Sequence, residues 1–186
     1  ATGVGGVIRD IISMGTRPIA LIDALRFGKI DGTAKRYSKA RWLFKNVVKG
    51  IADYGNCIGV PTVAGEVEFD PSFDDYCLVD VASIGFGQRD QIVRNHASNG
   101  DYIILAGGST GREGMGGAAF ASKEMSEENR SAVQIPDPFQ EKLLMEATLE
   151  AVEKHLVKAL KDLGGGGLSC CLSELSHTLE KGFDIE

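Results

Sequence analysis

Arg9 and Asp10 stand side by side in ATGVGGVIRDIISMG, a segment in which Val4, Val7, Ile8, Ile11 and Ile12 recur at helical spacing. Gly6, Arg9, Asp10 and Ser13 fall on the other side of that helix. A helix start relieved by Gly3, Gly5 and Gly6 offers free N–H groups, a guanidinium can fork onto an anion, and a carboxylate is a hard oxygen ligand for a divalent metal. The pair therefore suits an anionic ligand carrying a metal. It would equally be a solvated charge pair on a helix surface, where such pairs are worth little. A second carboxylate, Asp162, closes KALKD, a stretch expected to be a short strand over 158–163. It stands immediately before the glycine run 164–167 and the start of a helix. That arrangement puts an acid beside open backbone N–H groups; an aspartate in an ordinary turn reads the same way.

The glycine stretch GGSTGREGMGG at 107–117 invites a phosphate-loop reading. It lacks the lysine of G-x-x-x-x-G-K-[ST], and its glycines are in the wrong order for a dinucleotide fingerprint. Ser109, Thr110 and Arg112 could hold the phosphate of a ribonucleotide, or the loop could simply pack on a sheet. Glu66 reads as a strand-edge carboxylate more readily than as a metal ligand. His155 is expected in the last turn of a helix, where partial positive charge is favourable. His96 falls in a polar connector and His177 in the polar C-terminal stretch.

The elements that must position these groups follow from pattern. Gly15 closes the first helix, and PIALI from Pro18 is a buried strand. Thr33 is expected to cap a long helix to about Asp53, ended by Gly55, with Tyr37, Ala40, Phe44, Val47, Val48 and Ile51 on its apolar face. Its basic residues (Lys35, Arg36, Lys39, Arg41, Lys45 and Lys49) read as a solvated face, and Trp42 is left open between core and interface. Strands are expected over 60–69 and 78–86, paired with each other antiparallel across the turn residues of DPSFDD. The charged stretch 88–100 is the expected domain boundary. A further strand follows at 101–106, then a surface turn over 125–130. Asp137, Pro138 and Gln140 start a helix as N-cap, N1 and N3, with Phe139, Leu143, Ala147, Ala151 and Val152 aligned. A last helix begins near Leu168.

Composition narrows the class. With 186 residues the chain can bury a real core, and its net charge of −6 and pI near 5.2 argue against a nucleic-acid or membrane-surface binder. No apolar run reaches the length of a membrane span. The four cysteines, Cys57, Cys77, Cys170 and Cys171, form no C-x-x-C pair and read as buried reduced thiols. The 24 glycines concentrate where backbone must turn or approach a ligand.

The opening segment ATGVGGVIRDIISMGTRPIALIDALRFG also resembles the synthase subunit of formylglycinamide ribonucleotide amidotransferase. So do GNCIGVPTVAGEVEFD at 55–70, GGSTGREGMGGAAFASKE at 107–124, and VQIPDPFQEKLLMEATLEA and KDLGGGGL between 133 and 168. That family belongs to the aminoimidazole ribonucleotide synthetase-like superfamily of ATP-using enzymes. The resemblance implies an α+β fold made of parts of two α+β domains, an N-terminal-type domain over 1–92 and a C-terminal-type domain over 93–186, with ligands between them. It implies ATP and Mg2+, with Asp10 and Asp162 as metal ligands and Arg9 and Gln134 contacting formylglycinamide ribonucleotide (FGAR).

It further implies a cytoplasmic ligase of purine biosynthesis, fed with ammonia by a glutaminase subunit and with room for a small third subunit. The family's catalytic histidine motif belongs upstream of Ala1. This chain is therefore expected to be an excised fragment, without a catalytic residue of its own and inactive alone. It departs from the family pattern at Gly165, where alanine is common, at Ala64, where glycine is usual, and at Ile135-Pro136, where Val-Gly is common. Two rivals remain: another superfamily ATP-dependent enzyme such as aminoimidazole ribonucleotide synthetase, and a non-catalytic nucleotide-binding or assembly module.

Overall fold

A computed structural model describes residues 1–33, 35–109 and 135–185. The architecture is α+β, as expected: helices lie against a small mixed sheet. The regular elements are α1 (Thr2–Ser13), β1 (Arg17–Phe27), α2 (Ser38–Ile58), β2 (Thr62–Phe69), β3 (Leu78–Phe86), α3 (Pro138–Glu153) and α4 (Gly167–Leu179).

β1 is the centre of a sheet ordered β2-β1-β3. β2 runs parallel to it from Leu21↔Thr62 to Phe27↔Phe69, and β3 antiparallel from Arg17↔Phe86 to Arg26↔Leu78. The expected β2–β3 pairing is therefore corrected, since β1 lies between them. α2 is the crossover that returns the chain parallel to β1, which a tight turn could not do. β1 alternates on its inner face with Leu21, Leu25 and Phe27, which meet Val4, Ile8 and Ile12 of α1 and Ile51, Tyr54 and Ile58 of α2. Met145 brings α3 into the same core. Among the exposed residues are all of β2 and Trp42.

Several boundaries move. A 3-10 turn over Lys35–Tyr37 precedes α2, which begins at Ser38 without a side-chain cap; Thr33 does not cap it. Gly55 does not end α2. It is buried within the helix, and its carbonyl accepts from both Gly59 and Val60 N–H at 2.8 and 2.9 Å. The stop is Gly59, left-handed at φ +83, a conformation that side chains with a Cβ resist. Three basic residues of α2 find local partners at the surface: Lys49 pairs with Asp53, Lys39 lies 3.5 Å from Asp75, and Arg41 donates to the Gly32 carbonyl at 2.7 Å.

Neither 101–106 nor 158–163 is a strand. Lys158 reaches Asp101 at 2.7 Å, and the preceding connector meets 158–163 through Leu160 N–H donating to Asn95 Oδ1 at 2.9 Å and His96 N–H donating to the Lys158 carbonyl at 3.2 Å. Tyr102, Ile103, Ile104 and Leu105 are exposed, and none of the described strands pairs with them. Cys57 and Cys170 are exposed rather than buried, and all four cysteines are free.

α3 begins as its sequence demands, with Asp137 Oδ1 accepting from Gln140 N–H at 2.9 Å and Pro138 at the first turn. Its buried face is only partly the expected one. Val152 is buried as expected, but Phe139 and Leu143 are exposed, and Glu141 and Met145 are buried in their place with Leu149 packed beside them. The helix stops at Glu153, and His155 lies beyond it at φ +54, outside the last turn. Arg17 of β1 grips Glu146 of α3 through two parallel hydrogen bonds of 2.8 Å, with Lys142 adding a third at 2.7 Å.

Gly59→Ala is expected to lower stability by about 1–2 kcal/mol, because a Cβ is then forced into left-handed backbone; an unmoved urea midpoint would contradict this. Arg17 and Lys142 pull the Glu146 carboxyl down to about 2. A depressed acid contributes stability above its unfolded value, 4.5, and loses it as pH falls toward 2. The pair is nearly half exposed, so the contribution is under about 1 kcal/mol. Glu146→Gln should remove that part of the acid-limb slope between pH 4.5 and 2 in denaturation curves, and an identical slope would refute the assignment.

Candidate functional site

Arg9 and Asp10 sit in the second half of α1, Arg9 at the edge of the buried stripe of Val4, Gly5, Ile8 and Ile12 and Asp10 on the exposed side. One turn earlier on the same row is Gly5. A Cβ at Gly5 would sit 2.8 Å from Glu141 Oε2 and closer still to the Tyr54 hydroxyl. The missing side chain thus lets α2 and α3 close on α1. Into that gap go two polar groups: the Tyr54 hydroxyl donates to Glu141 Oε2, and Arg9 Nη1 lies 3.5 Å from the same oxygen. Glu141 is only 6 % exposed, and its second oxygen, Oε1, has no partner among the described residues. Burial pushes the Glu141 carboxyl up, against the pull of Tyr54 and Arg9. Burial, then the bond to Glu141, pushes the Tyr54 hydroxyl up as well.

Asp10, the next residue, faces Asp162. The structure brings these two carboxyls, 152 positions apart, close enough that the negative charge of Asp162 acts on Asp10. Asp10 is held above the usual carboxylate range first by partial loss of hydration at its carboxyl and then by the negative charge of Asp162. Arg9 and Lys161 oppose this, and Lys161 is itself paired with Glu174 of α4 at 2.8 Å. Gly164, opening the glycine run that leads into α4, approaches Asp162 closely enough that a Cβ there would lie 3.9 Å from Oδ2.

Two carboxylates pressed together are a hard-oxygen pair that a divalent cation would relieve. Mg2+ is commonly held by one or two protein carboxylates while keeping waters and substrate phosphates, so the donor set fits that ion. No cluster of three or more His, Cys, Asp or Glu suited to a metal occurs among the described residues. A cation here would depend on phosphate oxygens and water for the rest of its shell.

Of the other sequence candidates, Ser109 is exposed, one residue past Gly108, where a Cβ would lie 3.7 Å from Cγ of Gln140 in the first turn of α3. The entry to the glycine loop therefore reaches the start of the helix that carries Glu141. Thr110, Arg112 and Gln134 lie outside the described residues, as does the turn expected over 125–130. Glu66 is a strand-edge carboxylate held by Arg26, which also binds Glu68 at 3.1 Å.

Sequence reasoning missed Glu141 and Tyr54. The signal was available in the row Glu141–Met145–Leu149–Val152, an inward stripe disguised by one acid at its start.

The AIR synthase related protein N-terminal domain matches residues 1–86, and the AIR synthase related protein C-terminal domain matches residues 98–186. The chain belongs to the AIR synthase related protein family. Phosphoribosylformylglycinamidine synthase subunit PurL of Thermococcus sibiricus is 58 % identical over 188 residues, a match covering 98 % of this chain and 25 % of that protein. Among solved structures, T. maritima PurL complexed with FGAR is 38 % identical with a TM-score of 0.74, covering 95 % of this chain and 28 % of that one. T. maritima PurL complexed with ATP is 36 % identical with a TM-score of 0.68, covering 95 % and 25 %. The chain thus spans about a quarter of the length of the relatives it matches.

In this AIR synthase related chain both polar contacts bridge the two matched regions. Arg9, Asp10 and Tyr54 fall in the N-terminal match, and Glu141 and Asp162 in the C-terminal one. Because Asp10 and Asp162 repel, Asp162→Asn should raise the stability of the metal-free protein by about 0.5 kcal/mol, the scale of a relieved like-charge neighbour. A lower melting temperature for Asp162→Asn without metal would refute the repulsive contact.

Proposed function

We propose that this chain is the part of a phosphoribosylformylglycinamidine synthase that binds FGAR and the phosphates of ATP. The observation that carries the reading is the meeting of Asp10 with Asp162 beside the cationic Arg9. PurL, to which the chain is similar, has been solved with FGAR and with ATP, and this supports the choice of ligands. In this reading residues 1–92 and 93–186 are the parts of two domains that share one site, and the span of the two family matches supports that division.

In the proposed reaction the FGAR amide oxygen takes the γ-phosphoryl group of ATP, releasing ADP, and loss of the amide N–H proton to solvent leaves an iminophosphate. Ammonia then adds to the former amide carbon, and the C–O bond breaks as phosphate departs to give formylglycinamidine ribonucleotide. An amide oxygen is a poor leaving group, which is why a phosphoryl group must be attached first. Asp10 and Asp162 would hold Mg2+, which when bound offsets the negative charge of the phosphates. Arg9 would fork onto an anionic group of FGAR, and Gln134 would meet its amide and hydroxyl groups. Ser109, Thr110 and Arg112 would hold phosphate. These residues act by positioning and charge rather than as nucleophiles. The ammonia would come from a glutaminase subunit, with a small third subunit completing the assembly, in the cytoplasm.

Asp10→Asn in the intact polypeptide is expected to weaken magnesium–ATP binding by about tenfold, roughly the loss of one charge-assisted contact of 1.4 kcal/mol, and to reduce formylglycinamidine ribonucleotide formation with it. Calorimetric titration beside a coupled ADP assay reads both. Wild-type affinity in the variant would refute the metal role.

A further inference from the structure

Nothing in the proposed chemistry uses Glu141, yet it is the most completely buried acid of the described chain, at 6 % exposure. A carboxylate buried with one oxygen unpartnered is costly. An apolar residue at this position would continue the Met145, Leu149 and Val152 packing of α3 without that cost. What the carboxylate offers instead is an anchor for a cation. Its Oε2 receives the Tyr54 hydroxyl, which fixes the carboxylate plane, and lies 3.5 Å from Arg9 Nη1. Gly5 carries no side chain to stand between these groups. Arg9 itself remains 26 % exposed. Its planar guanidinium carries five N–H donors, and Glu141 engages one end of the fork. The other end is left for a ligand beside Asp10.

We infer that Glu141, with Tyr54 behind it, is a positioning residue that holds the Arg9 guanidinium so that its remaining donors meet the phosphate of FGAR. The inference rests on the function proposed above and extends it to two side chains that do not touch substrate. Glu141 is the fixed end of the arrangement, since α3 holds it in the core. Arg9 is the mobile end, a long side chain whose freedom would otherwise be spent on many orientations. Holding it in advance favours binding of the group it meets. It leaves the γ-phosphoryl transfer and the ATP contacts alone.

Steady-state kinetics of the intact enzyme, with FGAR and ATP varied separately, test this. Glu141→Gln keeps an acceptor for Tyr54 and removes the charge. It is expected to raise the FGAR KM at least fivefold, with the ATP KM within twofold and kcat within threefold of wild type. Arg9→Lys should raise the FGAR KM as well, and the double variant should be no more than twofold worse than the poorer single variant, because both changes break one contact. An unchanged FGAR KM in Glu141→Gln, a parallel rise in both KM values, or multiplicative effects in the double variant would overturn the inference. If Glu141→Gln fails to fold, Tyr54→Phe, which retains the ion pair, is expected to raise the FGAR KM two- to fourfold; no rise would overturn the inference equally. If the unmutated enzyme does not convert FGAR, the proposed function falls instead. Binding of inorganic phosphate to the same variants then decides the role of Glu141, with weaker binding in Glu141→Gln supporting it and equal binding refuting it.

Discussion

One buried carboxylate sets the terms for the rest of the molecule. Glu141 enters a core that includes Val4, Ile8, Leu21, Ile51 and Met145, and it is tolerated there because α1 and α2 each bring a donor to it. That requirement fixes the approach of three helices at once. Gly5 must lack a side chain, Tyr54 must point its hydroxyl inward, and Arg9 must lie along the row from Gly5. A polar contact made under cover is directional in a way that apolar packing is not. It therefore specifies how α3 sits on the sheet-bearing part of the chain, while Met145 and its neighbours supply most of the burial.

Beside this attractive contact lies a repulsive one. Asp10 is adjacent to Arg9 in sequence, and the Asp162 carboxyl is its neighbour in space. The same two parts of the chain are thus drawn together at Glu141 and Arg17–Glu146 and pushed apart at Asp10–Asp162. Sites that bind metal-bearing anions commonly hold such tension, because the residues suited to the ligand are ill-suited to each other without it. The nearby cations Arg9 and Lys161 offset part of that repulsion at Asp10.

The helices were the most legible part of the fold. α1 announced itself through valine and isoleucine spacing, and α3 through Asp137, Pro138 and Gln140, whose cap is made as written. β3 was equally plain. Strand order was not legible, because nothing local in the residues of β2 and β3 records that β1 lies between them. Gly55 misled because a glycine buried for close approach looks the same in sequence as one that ends a helix. The true stop four residues later differs only in its backbone angle. At the site, the charged residues Arg9, Asp10 and Asp162 stood out by type and neighbours. Glu141 and Tyr54 did not, since a glutamate in the first turn of a helix is ordinarily a surface residue favoured by the helix dipole. Its burial is a tertiary fact, created by two donors more than eighty positions upstream.

The central place of β1 also has a consequence in time. Its neighbours on both sides, β2 and β3, are made after α2, and Arg17 waits for Phe86 before its end of the ladder can close. At synthesis speeds of roughly 5–20 residues per second that wait is on the order of several seconds. Through that interval the most buried strand of the described sheet leaves the ribosome with both edges open. The nascent segment around Leu21 to Phe27 is where a holding chaperone would be needed most, and the arrival of β3 is the moment at which that need ends.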